Sequence, residues 1–122
     1  MGFRRSARGW AVKVVQSVRL PLRLRNFANV RMHWAKRASF IKEHRLTAYL
    51  MTKREDVPVT VRITRFGPKK MDRDGNISSM KGVIDGIADR LKVDDGDERI
   101  TWDYGQQVSQ GYSVLVEFLR EN

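Results

Sequence analysis

Cysteine is missing from all 122 residues, so disulfides, thiolate zinc sites and a cysteine nucleophile are excluded, in keeping with a reducing compartment. Histidine is nearly missing too: His33 and His44 are the only two, and neither sits in an HExxH arrangement. Each reads as a solvent-facing or partly packed helix residue before it reads as a ligand or a general base. No apolar run approaches membrane-spanning length, and the apolar stretch 10–18 is interrupted by Lys13 and Gln16, which argues against a secretory signal. A phosphate-cradling GxxxxGKS/T loop is also absent, which removes support for nucleotide hydrolysis. Met1-Gly2 with Ser6 fits the myristoylation pattern, a string short enough for chance to supply it.

What the chain does have is charge, unevenly placed. Residues 1–70 hold 18 Lys and Arg against 3 Asp and Glu, whereas residues 71–122 hold 6 against 11. The halves carry +15 and −5 within a formal net charge of +10. A polycationic half suits a phosphate backbone. Carboxylates crowded into a basic protein repel one another unless a cation or a proton neutralises them, and aspartates are hard-oxygen ligands for Mg²⁺ or Mn²⁺. Asp72, Asp74 and the pair Asp94/Asp95 lie at the two ends of one predicted helix, so metal-assisted chemistry on a nucleic acid is the expectation.

A hydrophobic content of 41% in 122 residues predicts one folded domain. Residues 1–16 carry Arg4, Arg5, Arg8 and Lys13 with little periodicity and read as a basic arm able to add an early strand. Over 17–25, Val18, Leu20, Leu22 and Leu24 alternate with Arg19, Arg23 and Arg25, a strand with one basic face. Pro21 within it implies an edge position or a bulge. A helix is predicted over 33–53, where Trp34, Ala38, Ile41, Leu46, Tyr49 and Leu50 recur at helical spacing. A second strand opens at Pro58 and ends at Gly67-Pro68. After the loop 69–75, Ile77, Met80, Ile84, Ile87 and Leu91 mark one long amphipathic helix. Strands follow at 100–104 and 112–119. The order predicts a single α+β domain over 17–122, a mixed four-stranded sheet with two main helices on one side.

Each motif has a plain alternative. Asp72-Arg73-Asp74-Gly75-Asn76 resembles the start of an EF-hand loop, but Ile77 and Val83 stand where glycine and a bidentate glutamate are required. An Asp-x-Asp at a helix start is often a cap. Capping gives no reason for Asp94 and Asp95 past the C-terminal end, where the dipole disfavours carboxylates and the alternative is a solvated Asp-Gly turn. Lys81 stands four residues before Asp85, so it forms a surface ion pair or places a cation near a scissile phosphate.

The segment 71–106, MDRDGNISSMKGVIDGIADRLKVDDGDERITWDYGQ, resembles the signature region of the RusA-type Holliday-junction resolvases of phages and prophages. The likeness rests on the Asp-x-Asp, the downstream lysine, the Ile-Asp-Gly step and the Asp-Asp before the next strand; segment 18–34 is similar more loosely. Together they span nearly the whole chain apart from the first 16 residues. The resemblance implies that Asp72 and Asp74 are metal-binding aspartates, that Asp95 is the catalytic aspartate after the helix with Asp94 beside it, and that Lys81 is the functional lysine. Gly75 departs from the pattern, since many members have asparagine there and Asn76 follows here. The family further implies a homodimer that nicks two strands of a four-way DNA junction with Mg²⁺ or Mn²⁺, no small-molecule cofactor and no membrane, in the cytoplasm of a bacterial or phage-infected cell. Arg4, Arg5, Arg8, Arg19, Arg23, Arg25, Arg31, Lys69 and Lys70 are the expected backbone contacts. A non-catalytic branched-DNA-binding protein is the rival from another class, and a metal-dependent nuclease acting on flaps, single strands or RNA would use the same residues.

Overall fold

Strict alternation of β-branched residues with Thr and Arg dictates the strand at the middle of the chain, and the computed structural model, which describes residues 3–5, 11–26 and 33–121, builds the sheet around it. The strands are β1 (Phe3–Arg5), β2 (Ala11–Leu20), β3 (Val59–Gly67), β4 (Ile100–Val108) and β5 (Ser113–Glu121). Their order is β1-β2-β5-β3-β4. β5 runs antiparallel to both β2 and β3, and β3 is parallel to β4, so the sheet is mixed. The fold is α+β in one domain: four long strands, extended at one edge by three-residue β1. Along β3, Val59, Val61 and Ile63 point into the core with Val114, Val116 and Phe118 of β5.

Strand boundaries differ from expectation: β4 runs on past residue 104 to Val108, β5 spans Ser113–Glu121 in place of 112–119, and β2 differs at both ends. β2 begins at Ala11, so the boundary drawn after residue 16 falls inside a strand that pairs with β5. A register shift between Val14 and Gln16 explains why no period was visible there, because a bulge resets which face each side chain takes. β2 also stops at Leu20 rather than Arg25, immediately before Pro21, which has no N–H for a ladder. The alternation persists without the ladder, since Leu22 and Leu24 are still buried in the extended chain beyond.

Among the described residues three helices accompany the sheet: α1 (Trp34–Met51), α2 (Arg73–Ser79) and α3 (Lys81–Leu91). The predicted single helix after residue 75 is thus broken at Met80, whose N–H bonds back to Ile77 O at 3.0 Å. The apolar stripe survives the break. Met80, Val83 and Ile87 are fully buried, each contributing about 1.5–3 kcal/mol by leaving water.

In α1 the expected apolar face is not the buried one. Trp34, Leu46 and Leu50 are exposed, and His44 and Ala48 are inside. The cause lies across the interface, where α1 and α3 meet at two glycines. A Cβ on Gly82 would stand 2.6 Å from both Ile41 O and His44 Cβ, and one on Gly86 would collide with Arg45 O and come within 2.9 Å of Ala48 Cβ. Such close approach admits only what is small or flat on the facing side.

His44 therefore corrects its solvent-facing reading: it is 1% exposed, and its Nδ1 is buried without a partner. Burial lowers its pKa below the ordinary 6.5, opposed by Glu43 and reinforced by Arg25. The unfolded chain then binds the extra proton more readily, so this contribution is complete above about 6.5 and is lost as pH falls through the lowered value. Denaturant midpoints should fall between pH 7.5 and 5, and His44→Leu should flatten that dependence. A variant with the same pH slope as wild type would refute the assignment.

Candidate functional site

The acidic segment begins at a helix end that its own first aspartate builds. Asp72 is the N-cap of α2, its Oδ1 accepting from Gly75 N at 2.7 Å, and Asp74 lies in the first turn. The capping reading thus describes one oxygen of Asp72. At the far end Lys92 takes a left-handed conformation with φ 59 and caps α3, and Asp94 and Asp95 beyond it line a cleft with Arg45, Asp85 and Asp89. None of Asp72, Asp74, Asp94 and Asp95 has a basic partner among the described residues, whereas Asp85, Asp89, Asp97 and Asp103 pair with Lys81, Arg45, Arg99 and Arg62. Glu43, Asp56, Glu98 and Glu121 likewise have no ion pair among the described residues, so what marks Asp72, Asp74, Asp94 and Asp95 is their place at the two ends of the α2–α3 pair. All four are exposed.

β4 holds both ends of this segment. Gln106 clamps the residue before Asp72, its Oε1 accepting from Met71 N at 2.9 Å and its Nε2 donating to Met71 O at 2.7 Å. Arg65 steadies the same loop by donating to Lys69 O at 2.9 Å. Trp102 Nε1 donates to Asp95 O at 2.8 Å. The two anchor positions are four residues apart, about 13 Å along a strand, whereas a straight helix of 16–18 residues would separate its ends by about 25 Å. The break at Met80 permits this shortening. Among the described residues, no three His, Cys, Asp or Glu side chains come together closely enough to hold a metal ion. Burial, with Asp95 nearby, raises the Tyr104 pKa.

Lys81 opens α3 and pairs with Asp85 at 3.5 Å, the i,i+4 surface pair expected of its plain reading. Its side chain is 58% exposed. On the basic side, Arg23 and Arg25 lie past the end of β2, so the predicted single arginine face is replaced by three stacks on different elements. Arg19 lies over Phe66 of β3 at 4.5 Å, Arg23 over Tyr112 at 4.3 Å, and Arg25 over Phe40 of α1 at 4.5 Å. Stacking fixes each guanidinium plane; Arg19 Nη1 also donates to Ser113 Oγ at 2.8 Å, and Arg25 Nε is buried. Lys69 and Lys70 are exposed on the loop before α2. Arg4 and Arg5 fall in β1, while Arg8 and Arg31 lie outside the described residues. Arg65, buried on the core side with Nε unpartnered, was not singled out from sequence. Burial lowers its pKa, and Arg23 adds to the effect. The β4 anchors were missed as well, because a glutamine or a tryptophan in a strand carries no local signal of a loop it will hold.

No protein-family model matches the sequence. Over 96 residues the chain is 33% identical to a protein of Xylella fastidiosa (strain Temecula1) described only as uncharacterized. The match takes in 69% of this chain and 63% of that relative, so the chain spans less than two thirds of the relative's length.

Proposed function

We propose that the protein is a divalent-metal-dependent endodeoxyribonuclease that acts as a homodimer on branched DNA, resolving four-way junctions by paired nicks. The observation that supports this most is the placement of four exposed carboxylates, without basic partners among the described residues, at the two ends of the α2–α3 pair, in a chain whose other half is polycationic. The donors suit Mg²⁺ or Mn²⁺. Such an ion is held by one or two carboxylates when water and substrate phosphate complete its shell, so Asp72 and Asp74 suffice as protein ligands, with Asp95 and then Asp94 at the other end. When bound, the metal supplies an activated water and neutralises charge at the phosphodiester.

The chain's own residues do the rest. Gln106 and Arg65 hold the loop that presents Asp72 and Asp74. Lys81 neutralises charge developing on the phosphoryl oxygens, a task in which placement counts for more than acid strength. Arg19, Arg23 and Arg25 grip the backbone, and two sites related by a two-fold axis address two opposed strands. The deciding experiment incubates the purified protein with labelled four-way junction, flap, duplex and single-stranded DNA and with RNA, with and without Mg²⁺. Metal-dependent paired nicks in the junction are expected. Binding without cutting would establish the non-catalytic alternative, and cutting confined to flaps, single strands or RNA would move the substrate class.

Affinity and chemistry should separate by salt. Junction binding is expected to weaken as a power of salt concentration, and each of Arg19→Ala, Arg23→Ala and Arg25→Ala should reduce the logarithmic slope by about one unit. Lys81→Ala should leave the slope unchanged and slow the single-turnover rate by about 10²–10³-fold. If the Lys81 variant binds poorly yet cuts at the normal rate once saturated, that lysine is a backbone contact instead.

A further inference from the structure

Trp34, Leu46, Tyr49, Leu50 and Met51 are exposed along α1, and elsewhere among the described residues only Val108 and Tyr112 are large apolar side chains left open to water. Exposed apolar surface gathered on one element marks a face that another molecule covers. His44 and Ala48, on the other side of the helix, are taken up by α3. The open side carries a seam. Ala35, Ser39, Lys42, Leu46 and Tyr49 follow one another at steps of four, three, four and three residues, the spacing with which one helix lies along another. Toward the C-terminal end of α1 this side is large, at Leu46 and Leu50, and toward the N-terminal end it is small, at Ala35 and Ser39, which are exposed as well. Lys42 and Glu43 stand at the middle, both exposed and neither in an ion pair among the described residues.

We infer that this face docks on the same face of a second copy of the chain, the two α1 helices lying antiparallel about a two-fold axis that passes between Lys42 and Glu43. The inference rests on the homodimer of the proposed function and names its interface. A contact between identical faces must complement itself, and this register does so in both shape and charge. Leu46 faces the partner's Ser39, Leu50 faces the partner's Ala35, and each pairing recurs on the other side of the axis, so large side chains meet small ones. At the rim Trp34 reaches the partner's Met51, a thioether against an aromatic ring. Lys42 meets the partner's Glu43, again twice. A slip of one residue in either direction sets Lys42 against the partner's Lys42 or Glu43 against the partner's Glu43, so like charge excludes the neighbouring registers. That is the use to which a polar position in an apolar seam is put, at some cost in stability. An acidic protein segment or an anionic membrane would account for Lys42 but not for Glu43, the one carboxylate in α1, at the centre of the face.

Sedimentation velocity at micromolar concentration should show a species of twice the 14.2 kDa chain mass. Lys42→Glu and Glu43→Lys should each weaken association by about tenfold or more, and the double exchange Lys42→Glu/Glu43→Lys should restore it to within about threefold of wild type. All three variants should melt like wild type, because both side chains are exposed. The absence of cysteine lets the register be read directly. Chains carrying Ser39→Cys and chains carrying Leu46→Cys, mixed and mildly oxidised, should join through a disulfide. Leu46→Cys alone should not, since its two sulfurs lie about 10 Å apart along the helices. A dimer that the charge reversals leave intact and that forms no mixed disulfide overturns the inference and leaves the homodimer of the nuclease reading standing. A monomer overturns both, and one that pellets with phosphatidylglycerol vesicles assigns the face to an anionic membrane; in either case cleavage of the junction is decided separately by its own assay. Ready self-crosslinking of Leu46→Cys would mean a different register and overturn the one inferred.

Discussion

Asp72→Asn, Asp74→Asn and Asp95→Asn should each lower Mg²⁺-dependent junction cleavage by about 10²–10³-fold or more, while junction binding persists or tightens. The geometry makes these substitutions selective. Asparagine caps a helix as well as aspartate does, so Asp72→Asn keeps the bond to Gly75 N that starts α2 and removes only the charge. At Asp95 the bond that ties the segment to Trp102 uses the backbone carbonyl, which no side-chain change disturbs. Asp74 adds only a first-turn dipole interaction, about 0.3–1 kcal/mol. A loss of cutting with unchanged melting therefore reports a metal-binding charge, whereas an effect through the cap would appear with Asp72→Ala, at about 1 kcal/mol, and not with Asn. Asp97→Asn is the control, because Arg99 already satisfies that carboxylate and holds its pKa down at about 2. Asn variants that cut at the wild-type rate in Mg²⁺ would remove these residues from the site.

The contrast between Asp72 and Asp97 also shows where sequence reasoning ends. Spacing marks both as aspartates at turns. Only the fold reveals that Asp97 is paired with Arg99 two residues away and that Asp72 caps α2 without a basic partner among the described residues. Where period alone decides, the reading holds: β3 alternates as expected, and the stripe from Met80 to Leu91 faces the core. It fails where geometry breaks the period. The bulge between Val14 and Gln16 hid the first half of β2, and the turn at Met80 divided a helix whose apolar spacing runs through it. The arginines past Leu20 were read as one face of a strand because Leu22 and Leu24 still alternate. Their stacking on Tyr112 and Phe40, like that of Arg19 on Phe66, depends on distant parts of the chain.

The misread face of α1 leads to the second large effect, at the glycines that set its distance from α3. Helix propensity alone predicts that Gly82→Ala and Gly86→Ala each stabilise α3 by about 1 kcal/mol. The opposite is expected. The new methyl on Gly86 meets the carbonyl oxygen of Arg45, and that on Gly82 meets Ile41 O at 2.6 Å. These are backbone atoms of the facing helix and cannot swing aside like a flexible side chain, so α1 must lift away. Overpacking of this kind costs about 1–3 kcal/mol beyond the propensity gain, a fall in Tm of roughly 5–10 °C for a domain of this size. Gly96→Ala supplies the comparison, because a Cβ there meets nothing within 4 Å, and that variant should melt within about 2 °C of wild type, its loss of unfolded-state entropy being small. The damage should reach the site as well, since Arg45 leaves its 2.6 Å pair with Asp89 when α1 shifts, loosening the end of α3 from which Asp94 and Asp95 project. Thermal melts of the three alanine variants decide the matter: if Gly86→Ala melts above wild type, the two helices do not approach as closely as this packing requires.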